Sequence, residues 1–476
     1  MGRRGLTRRG QLVWELAQER AMRVPCLVCG TPALVEALED DVFVQLRNVA
    51  SLPGVAAPVL AMPDAHPGYG FPIGCVAAFD AEQGGVVSAG GVGFDISCGV
   101  RTLVSDLDAA EVAPLREVLA DRLFAAIPAG LGGGGSLRLS ERDMDHMLVG
   151  GAAWAVAQGF GEKADLERCE EGGRMAGADP DAVSPRARER QRDEVGTLGS
   201  GNHYLEVQIV EELCDPATAT AYGLRRDQVV VSVHCGSRGL GHQTATDHMA
   251  AMRVAAPRYG IVLSDRDLAC APVDSPEGAR YLGAMRAAIN CALAGRQVIT
   301  HLVREVFAAL FPGCRLRLLF DVSHNTCKVE RHPGVAGNRP LHVHRKGATR
   351  ALGPGHPDLP PALRSVGQPV IVGGSMGTRS YILSGSAAAP PFALASACHG
   401  AGRALGRRQA AKRFPGRNVL AALTAQGISL RAHDLRGLGE EAPQAYKDIE
   451  DVVQTTHDLG LAAKTARLRP LACIKG

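Results

Sequence analysis

The chain lacks the marks of export and of membrane insertion. Its basic start, Met1-Gly2-Arg3-Arg4-Gly5-Leu6, runs into Glu15, Glu19 and Arg20 rather than an apolar core, so no signal peptide is expected. Leu6 also breaks the pattern for N-myristoylation. The most apolar long stretch, 380–397, is interrupted by Pro390 and Pro391 and does not read as a membrane span. There is no Gly-x-x-x-x-Gly-Lys-Ser/Thr, which argues against a P-loop NTPase. Nor is there a Lys-x-Asp-Gly, the signature of ligases that carry a nucleotide on lysine. A net charge of only +3 gives no global field for a polyanion, so any such site must be local. No long internal period marks a solenoid. Without export, the 13 cysteines read as reduced thiols of a cytoplasmic protein. Cys26-Leu27-Val28-Cys29 has no second Cys-x-x-Cys to complete a zinc knuckle and reads as structural or incidental.

What is present is a large apolar content: 476 residues, 46% of them hydrophobic and 21% charged, suffice for a sizeable core. Length alone allows two or three domains. The motifs that carry chemistry, however, extend from Cys98 to His399, and several domains would have to converge on one site. One large domain over 56–476 is therefore expected, preceded by an accessory segment at 1–55. Within that segment 12–17 has helical spacing and 33–38 gives a second short helix. Beyond Pro58, the stretches 59–62, 85–88 and 229–233 read as buried strands, with helices over 109–126, 144–158 and 285–311. Residues 168–194 and 351–364 look like solvated excursions.

Cysteine and histidine occur in glycine-rich sequence at four separated places. Cys98 lies in Gly93-Phe94-Asp95-Ile96-Ser97-Cys98-Gly99 and His203 in Gly199-Ser200-Gly201-Asn202-His203. His234 lies in Val233-His234-Cys235-Gly236-Ser237-Arg238-Gly239 and His324 in Val322-Ser323-His324-Asn325. A lone free cysteine is more often a small buried hydrophobe, and a lone histidine a satisfied polar residue. Four together, with Asp95 near Cys98, point instead to a metal centre, because thiolate, imidazole and carboxylate hold divalent transition metals. A thiolate can bridge two cations, and a two-metal site suits phosphoryl transfer. Ligand softness alone favours zinc over manganese.

Four further segments carry candidate chemistry. Cys398-His399-Gly400-Ala401-Gly402-Arg403 offers His399 as a nucleophile. Met62-Pro63-Asp64-Ala65-His66-Pro67-Gly68 carries an acid and a histidine in a proline-stiffened segment that reads equally as a structural turn. The run from Arg331 and His332 through His342, His344, Arg345 and Lys346 to Arg350 is basic enough for a phosphate-backbone site or a solvated face. Arg238, Arg403, Arg407 and Arg408 lie beside other motifs and would extend such a groove. Gly373-Gly374-Ser375-Met376-Gly377-Thr378 resembles a loop that presents backbone N–H groups to an anion.

Taken together, these segments resemble the RtcB family of GTP-dependent RNA-splicing ligases, from about Pro58 to Lys475-Gly476. The stretches 62–74, 84–101, 196–208, 234–243, 344–350, 398–403 and Ala445-Tyr446-Lys447-Asp448 match in order. The resemblance implies an α+β fold: a single large domain of mixed β-sheets surrounded by helices, with the active site in a central cleft. It implies two Mn²⁺ per site, one held by Cys98, His234 and His324, the other by Asp95, Cys98 and His203. His399 would attack the α-phosphate of GTP and carry guanylate to an RNA 3′-phosphate, which a 5′-hydroxyl end then displaces. Asn202, Tyr204, Glu206, Asn325, Gly373, Gly374, Ser375, Met376, Ser380, Gly400, Ala401, Gly402, Tyr446 and Lys475 would line the nucleotide site. Arg238, Lys346, Arg407 and Arg408 would meet RNA phosphates. The implied partners are tRNA halves or other broken RNA ends, and the activating protein archease. Cys75, Ala89, Ser97, Cys235 and Gly406 depart from the family pattern, and none of them removes a ligand or His399. Two other readings use the same residues: an RNA-end-binding protein that keeps the metal fold as scaffold, and a metal-dependent hydrolase of cyclic-phosphate ends.

Overall fold

Valine-rich runs bounded by glycine become strands here because both of their faces are covered; Gln228–Cys235, for example, is buried at every position. In a computed structural model, which describes residues 5–19, 21–130, 134–135 and 137–476, such runs build two large sheets. The first places Leu6–Arg8, Val13–Leu16, Cys26–Cys29, Val59–His66, Ile73–Phe79, Leu341–Lys346 and Asn325–Glu330 side by side in that order. The second runs Leu316–Ser323, Gly99–Asp108, Gln228–Cys235, Tyr204–Leu213, Ala462–Lys475, Ser380–Gly385 and Pro369–Val372, with Ser429–Ala432 added beside Ala462–Lys475. Each sheet contains one parallel pair among antiparallel ones, and helices pack around both, so the expected α+β architecture of mixed sheets is the one observed.

The second sheet positions the site. Because its neighbours alternate in direction, the end of one strand lies beside the start of the next. Ser323 pairs with Gly99, Gly99 with Cys235, His234 with Tyr204, and Tyr204 with Lys475. Residues far apart in sequence are thereby gathered along a single edge.

The helix Pro276–Leu310 lies beneath that edge. It begins with Ser275, whose side chain accepts from Gly278 N–H, and Pro276, whose missing N–H costs nothing in the first turn. Small residues, among them Ala284, Ala287, Ala288, Ala292 and Ala294, are fully buried and let it pack closely. From this helix Arg296 reaches Asp321 with contacts of 2.8 to 3.1 Å, while Arg101 approaches the same carboxylate at 2.7 Å. All three side chains are fully buried.

The structure departs from the sequence-based expectations in three places. Val13–Leu16 is a strand rather than helical, because alternate side chains, Trp14 and Leu16, face the core. Residues 168–194 are only in part the expected solvated excursion: Arg186, Glu189, Arg190 and Arg192 are exposed, but the start of the segment is tied to the interior. Glu170 is buried, ion-paired to Lys328 at 3.1 Å and Arg350 at 3.3 Å, and accepts from Ser323 N–H. The same pairing explains the third departure. Most of the basic run is neither a solvated face nor a polyanion groove, since Arg345 clasps Glu330 at 2.7 and 2.8 Å and His344 is sealed inside the first sheet. Among the described residues, no helix is long and apolar enough to cross a membrane.

Breaking the buried ion cluster leaves guanidinium charge without a counter-ion. Asp321→Ala is expected to cost about 3–5 kcal/mol, read as a lowered denaturant midpoint; an unchanged midpoint would show that the cluster does not hold the fold.

Candidate active site

The ligand candidates meet at the sheet edge. Cys98 follows a tight turn in which its own N–H donates to Asp95 O at 3.0 Å and Ser97 adopts φ +57°. His324 N–H donates to Cys98 O at 2.8 Å and so registers the next loop on the first. Cys98 Sγ lies 3.1 Å from His234 Nε2 and 3.4 Å from His203 Nε2. His234 Nε2 is 3.2 Å from His324 Nε2, and His203 Nε2 is 2.7 Å from Asp95 Oδ2. Two sets of donor atoms result, Cys98 with His234 and His324, and Asp95 with Cys98 and His203, and Cys98 belongs to both.

This donor set fits cations. Burial holds His234 and His324 well below the ordinary histidine range, which favours the neutral imidazole that metal binding requires. Burial, reinforced by Asp95, also holds the Cys98 thiol well above its ordinary value, so a cation is what would draw the proton from the sulfur.

His399 stands beside this cluster, its ring centroid 4.8 Å from that of His324. It leaves the end of the Ser396–Cys398 strand, which pairs with Ala348–Arg350. Asp64, on the Val59–His66 strand, accepts from His399 Nδ1 at 2.7 Å and from the His399 N–H at 3.0 Å. Burial pushes this carboxyl up, but the charge and hydrogen bonds of His399 outweigh it and hold Asp64 below its usual value. Nδ1 is thereby committed to Asp64, and Nε2 is the ring nitrogen left for other bonds. The approach demands glycine at 402: φ is +73°, and a Cβ there would lie 2.1 Å from Asp64 O. His66, nearby, has Nδ1 3.0 Å from Asp64 O and is pushed down to about 3 by burial.

A cavity of about 1240 Å³ joins these groups to the remaining candidates. It is lined by all five metal-ligand candidates, by His399, and by Asn202, Tyr204, Glu206, Asn325, Gly373, Gly374, Ser375, Met376, Gly400, Ala401, Gly402, Tyr446 and Lys475. Arg238, Lys346 and Arg407 line it too. Ser380 and Arg408 do not. Ser380 Oγ accepts from Gly374 N–H at 3.1 Å and so braces the glycine loop from behind. Arg408 is exposed on the helix Arg407–Arg413, outside the cavity. Burial raises Glu206 to about 7, against the opposing pull of Gln208 and Lys475. Lys475 Nζ donates to Gly201 O at 2.7 Å. Burial pulls Lys346 down to about 7, yet its three protons are taken by the carbonyls of Tyr69, Phe71 and Gly90, which hold the charged form.

Sequence reading left three participants without a role: Asp64 as the clamp on His399, Glu441 beneath Arg403 and Tyr446, and Arg296. Glu441 is buried, 3.2 Å from Arg403, and hydrogen-bonded by Tyr446 Oη. Arg403 also lies 5.0 Å over the Tyr446 ring. The proline-stiffened segment was the only signal for Asp64; nothing local marks Glu441 or Arg296.

Comparison with known proteins assigns the chain to a family. A family model described as tRNA-splicing ligase RtcB matches residues 45–476. This chain belongs to the RtcB family. The tRNA-splicing ligase RtcB of Thermococcus kodakarensis is 48% identical over 477 residues, covering 99% of each chain. The RNA-splicing ligase RtcB of Mycobacterium tuberculosis is 52% identical over 434 residues, 91% of this chain and 100% of that one. The family's tRNA-splicing ligase from Archaeoglobus fulgidus is 48% identical over 469 residues, 97% of each.

The shared thiol makes metal content a sharp measurement. The protein is expected to take up two divalent transition-metal ions per chain, with one lost in Asp95→Ala and both in Cys98→Ala, counted by elemental analysis. Undiminished metal in Cys98→Ala would refute the bridging position.

Proposed function

We propose that this protein is an RNA ligase that joins a 3′-phosphate or 2′,3′-cyclic-phosphate end to a 5′-hydroxyl end by way of guanylate carried on His399. The observation that carries this reading is the Asp64 clamp, which engages His399 Nδ1 and leaves Nε2 as the nitrogen for bond formation at the edge of a paired candidate metal-ligand cluster. Near neutral pH such an imidazole is a competent nucleophile, and a phosphoramidate formed on it passes a nucleotide onward readily. Two Mn²⁺, held by Cys98, His234 and His324 and by Asp95, Cys98 and His203, would supply Lewis-acid neutralisation of phosphate charge. Manganese is assigned on family likeness.

The residues of the chain divide the remaining work. His399 Nε2 bonds to the α-phosphorus of GTP as the bond to pyrophosphate breaks, and Asp64 stabilises the positive charge that develops on the ring. Glu206 accepts from guanine N–H groups, Tyr204 and Tyr446 flank the base, and the loop at 373–376 with Asn202, Asn325, Gly400, Ala401, Gly402 and Lys475 holds sugar and phosphates. A cyclic end first adds water at phosphorus as its P–O2′ bond breaks, giving a 3′-phosphate; an oxygen of that 3′-phosphate then bonds to the guanylate phosphorus as the bond to His399 breaks. Attack by the 5′-hydroxyl releases GMP. Arg238 and Arg407 suit phosphates at the cavity, Lys346 adds charge rather than a free proton, and Arg408 would meet phosphates further along the strand. Ser380 acts through the glycine loop. We assign tRNA halves or comparably broken RNA as substrate, in the cytoplasm, with archease as the activating partner the family likeness implies.

Incubation with α-labelled GTP and Mn²⁺ tests the reading. Acid-labile label is expected on the protein, abolished in His399→Ala and slowed about 10²- to 10⁴-fold in Asp64→Asn, which misorients the ring. An unlabelled protein that still binds RNA ends would be a binder. One that opens cyclic ends equally well as His399→Ala would be a hydrolase.

Acidity supplies a second check. Because Glu206 titrates near 7 rather than in the usual carboxylate range, its charged form is lost as pH falls through neutrality. GTP affinity is expected to weaken below that point, and Glu206→Gln to bind GTP weakly with no such pH dependence.

A further inference from the structure

Phenylalanine, tryptophan and tyrosine make up 4% of this chain, and those of the core are consumed by packing. Tyr69 is different: it is 62% exposed, at the wall of the cavity that holds the ligand cluster. Among the described residues, Tyr259 is the other large aromatic in contact with solvent to a comparable degree, and its hydroxyl is bound to Glu277 at 2.7 Å. No partner for the Tyr69 hydroxyl occurs among the described residues.

An exposed ring on a mobile loop would mean little, but this ring stands on a fixed turn. Gln45 holds Gly68 from one side, donating to its carbonyl at 2.6 Å and accepting from its N–H at 3.2 Å. Lys346 Nζ holds Tyr69 O at 2.6 Å and Phe71 O at 3.0 Å from the other. Gly70 adopts φ +72°, and a Cβ there would lie 2.3 Å from Asp267 O, so the backbone is wedged against its neighbour. Behind the ring comes a ladder. Tyr69 meets Phe94 edge-on at 5.6 Å, and Phe94 stacks on the exposed His242 at 5.0 Å with 24° between planes. Phe94 immediately precedes Asp95 of the ligand cluster, and Arg190 and Arg238 line the same cavity.

An exposed aromatic ring held on a braced turn and buttressed edge-on by a second ring, with guanidinium groups lining the same cavity, is what an unpaired nucleobase requires: a π-face to lie on and cations for the adjoining phosphates. We propose that Tyr69, supported by Phe94 and His242, is a stacking platform for a nucleobase next to the RNA break, a contact that rests on the ligase reading above. Stacking of this kind tolerates any base, as a ligase acting on varied ends needs.

Steady-state ligation by unaltered protein, Tyr69→Ala and Tyr69→Phe tests this, using strands that are intact or abasic at the nucleotide bordering the break. Tyr69→Ala is expected to raise KM for RNA about tenfold with little change in kcat, and Tyr69→Phe to keep the original KM. When the strand whose base uses the platform is abasic, unaltered protein and Tyr69→Ala should converge. Separate abasic 3′-phosphate and 5′-hydroxyl strands reveal which of the two it is. An unchanged KM in Tyr69→Ala, or a difference that persists on both abasic strands, would overturn the platform while leaving ligation intact. Absence of ligation by the unaltered protein would instead sink the ligase reading on which the platform rests.

Discussion

Beneath the proposed metal ligands, two arginines share a single buried aspartate, and the geometry of the site follows from that arrangement. Arg296 does more than pair with Asp321. Its Nη1 also donates to Ser97 O and to Cys235 O, each at 2.8 Å, and Nη2 lies 3.4 Å from Ser323 Oγ. Ser97 precedes Cys98, Cys235 follows His234, and Ser323 precedes His324. One planar guanidinium therefore sets the relative positions of three ligand-bearing loops, a task for which a lysine point charge has neither the fork nor the donors. Pairs of this kind do not by themselves stabilise a fold, since desolvation consumes most of the attraction. What they supply here is position, together with positive charge beneath a thiol that must become anionic to bind metal.

The sheet makes this economical. In an antiparallel arrangement, alternate strand ends share an edge, so Cys98, His203, His234 and His324 need only sit at strand termini to become neighbours. Lys475, near the chain terminus, arrives by the same rule at the register of Tyr204. The helix Pro276–Leu310 then caps the gathered edge from below and delivers Arg296. Loops carry the chemistry, while the rigid elements fix its dimensions.

How much of this was legible in sequence depended on whether a residue's role is set locally. The convergence of Cys98, His203, His234 and His324 was readable because a thiol and three imidazoles recur in similar glycine-rich settings, and the long helix because its apolar spacing persists. Its true start at Pro276 follows from the Ser275 cap. Asp64 was not assigned, because its meaning depends on a partner 335 residues away. The basic run misled for the same reason: the acids that neutralise it, Glu170, Glu171 and Glu330, arrive largely from a segment that looked solvated. Strand Val13–Leu16 has an apolar pattern too short to separate a period of two from one of 3.6.

Histidine shows most clearly why type alone does not assign function. His344 takes the Ser88 N–H at 3.1 Å on Nε2 and donates from Nδ1 to His342 O at 3.2 Å, so both nitrogens are spent on structure. His234 and His324, desolvated and held well below the ordinary histidine range, bring their Nε2 atoms within 3.2 Å of each other, with that of His234 3.1 Å from a thiol, an arrangement that suits the proposed coordination. His66 and His399 each commit Nδ1 and keep Nε2 free, yet they differ in what accepts the proton: a carbonyl for His66, a carboxylate for His399. A carbonyl dipole does little for a ring that becomes cationic, whereas a buried carboxylate would stabilise that charge as it grows in the proposed attack on phosphorus. The neighbour of the second nitrogen thus distinguishes the proposed nucleophile, His399, from His66, a second ring at the same cavity.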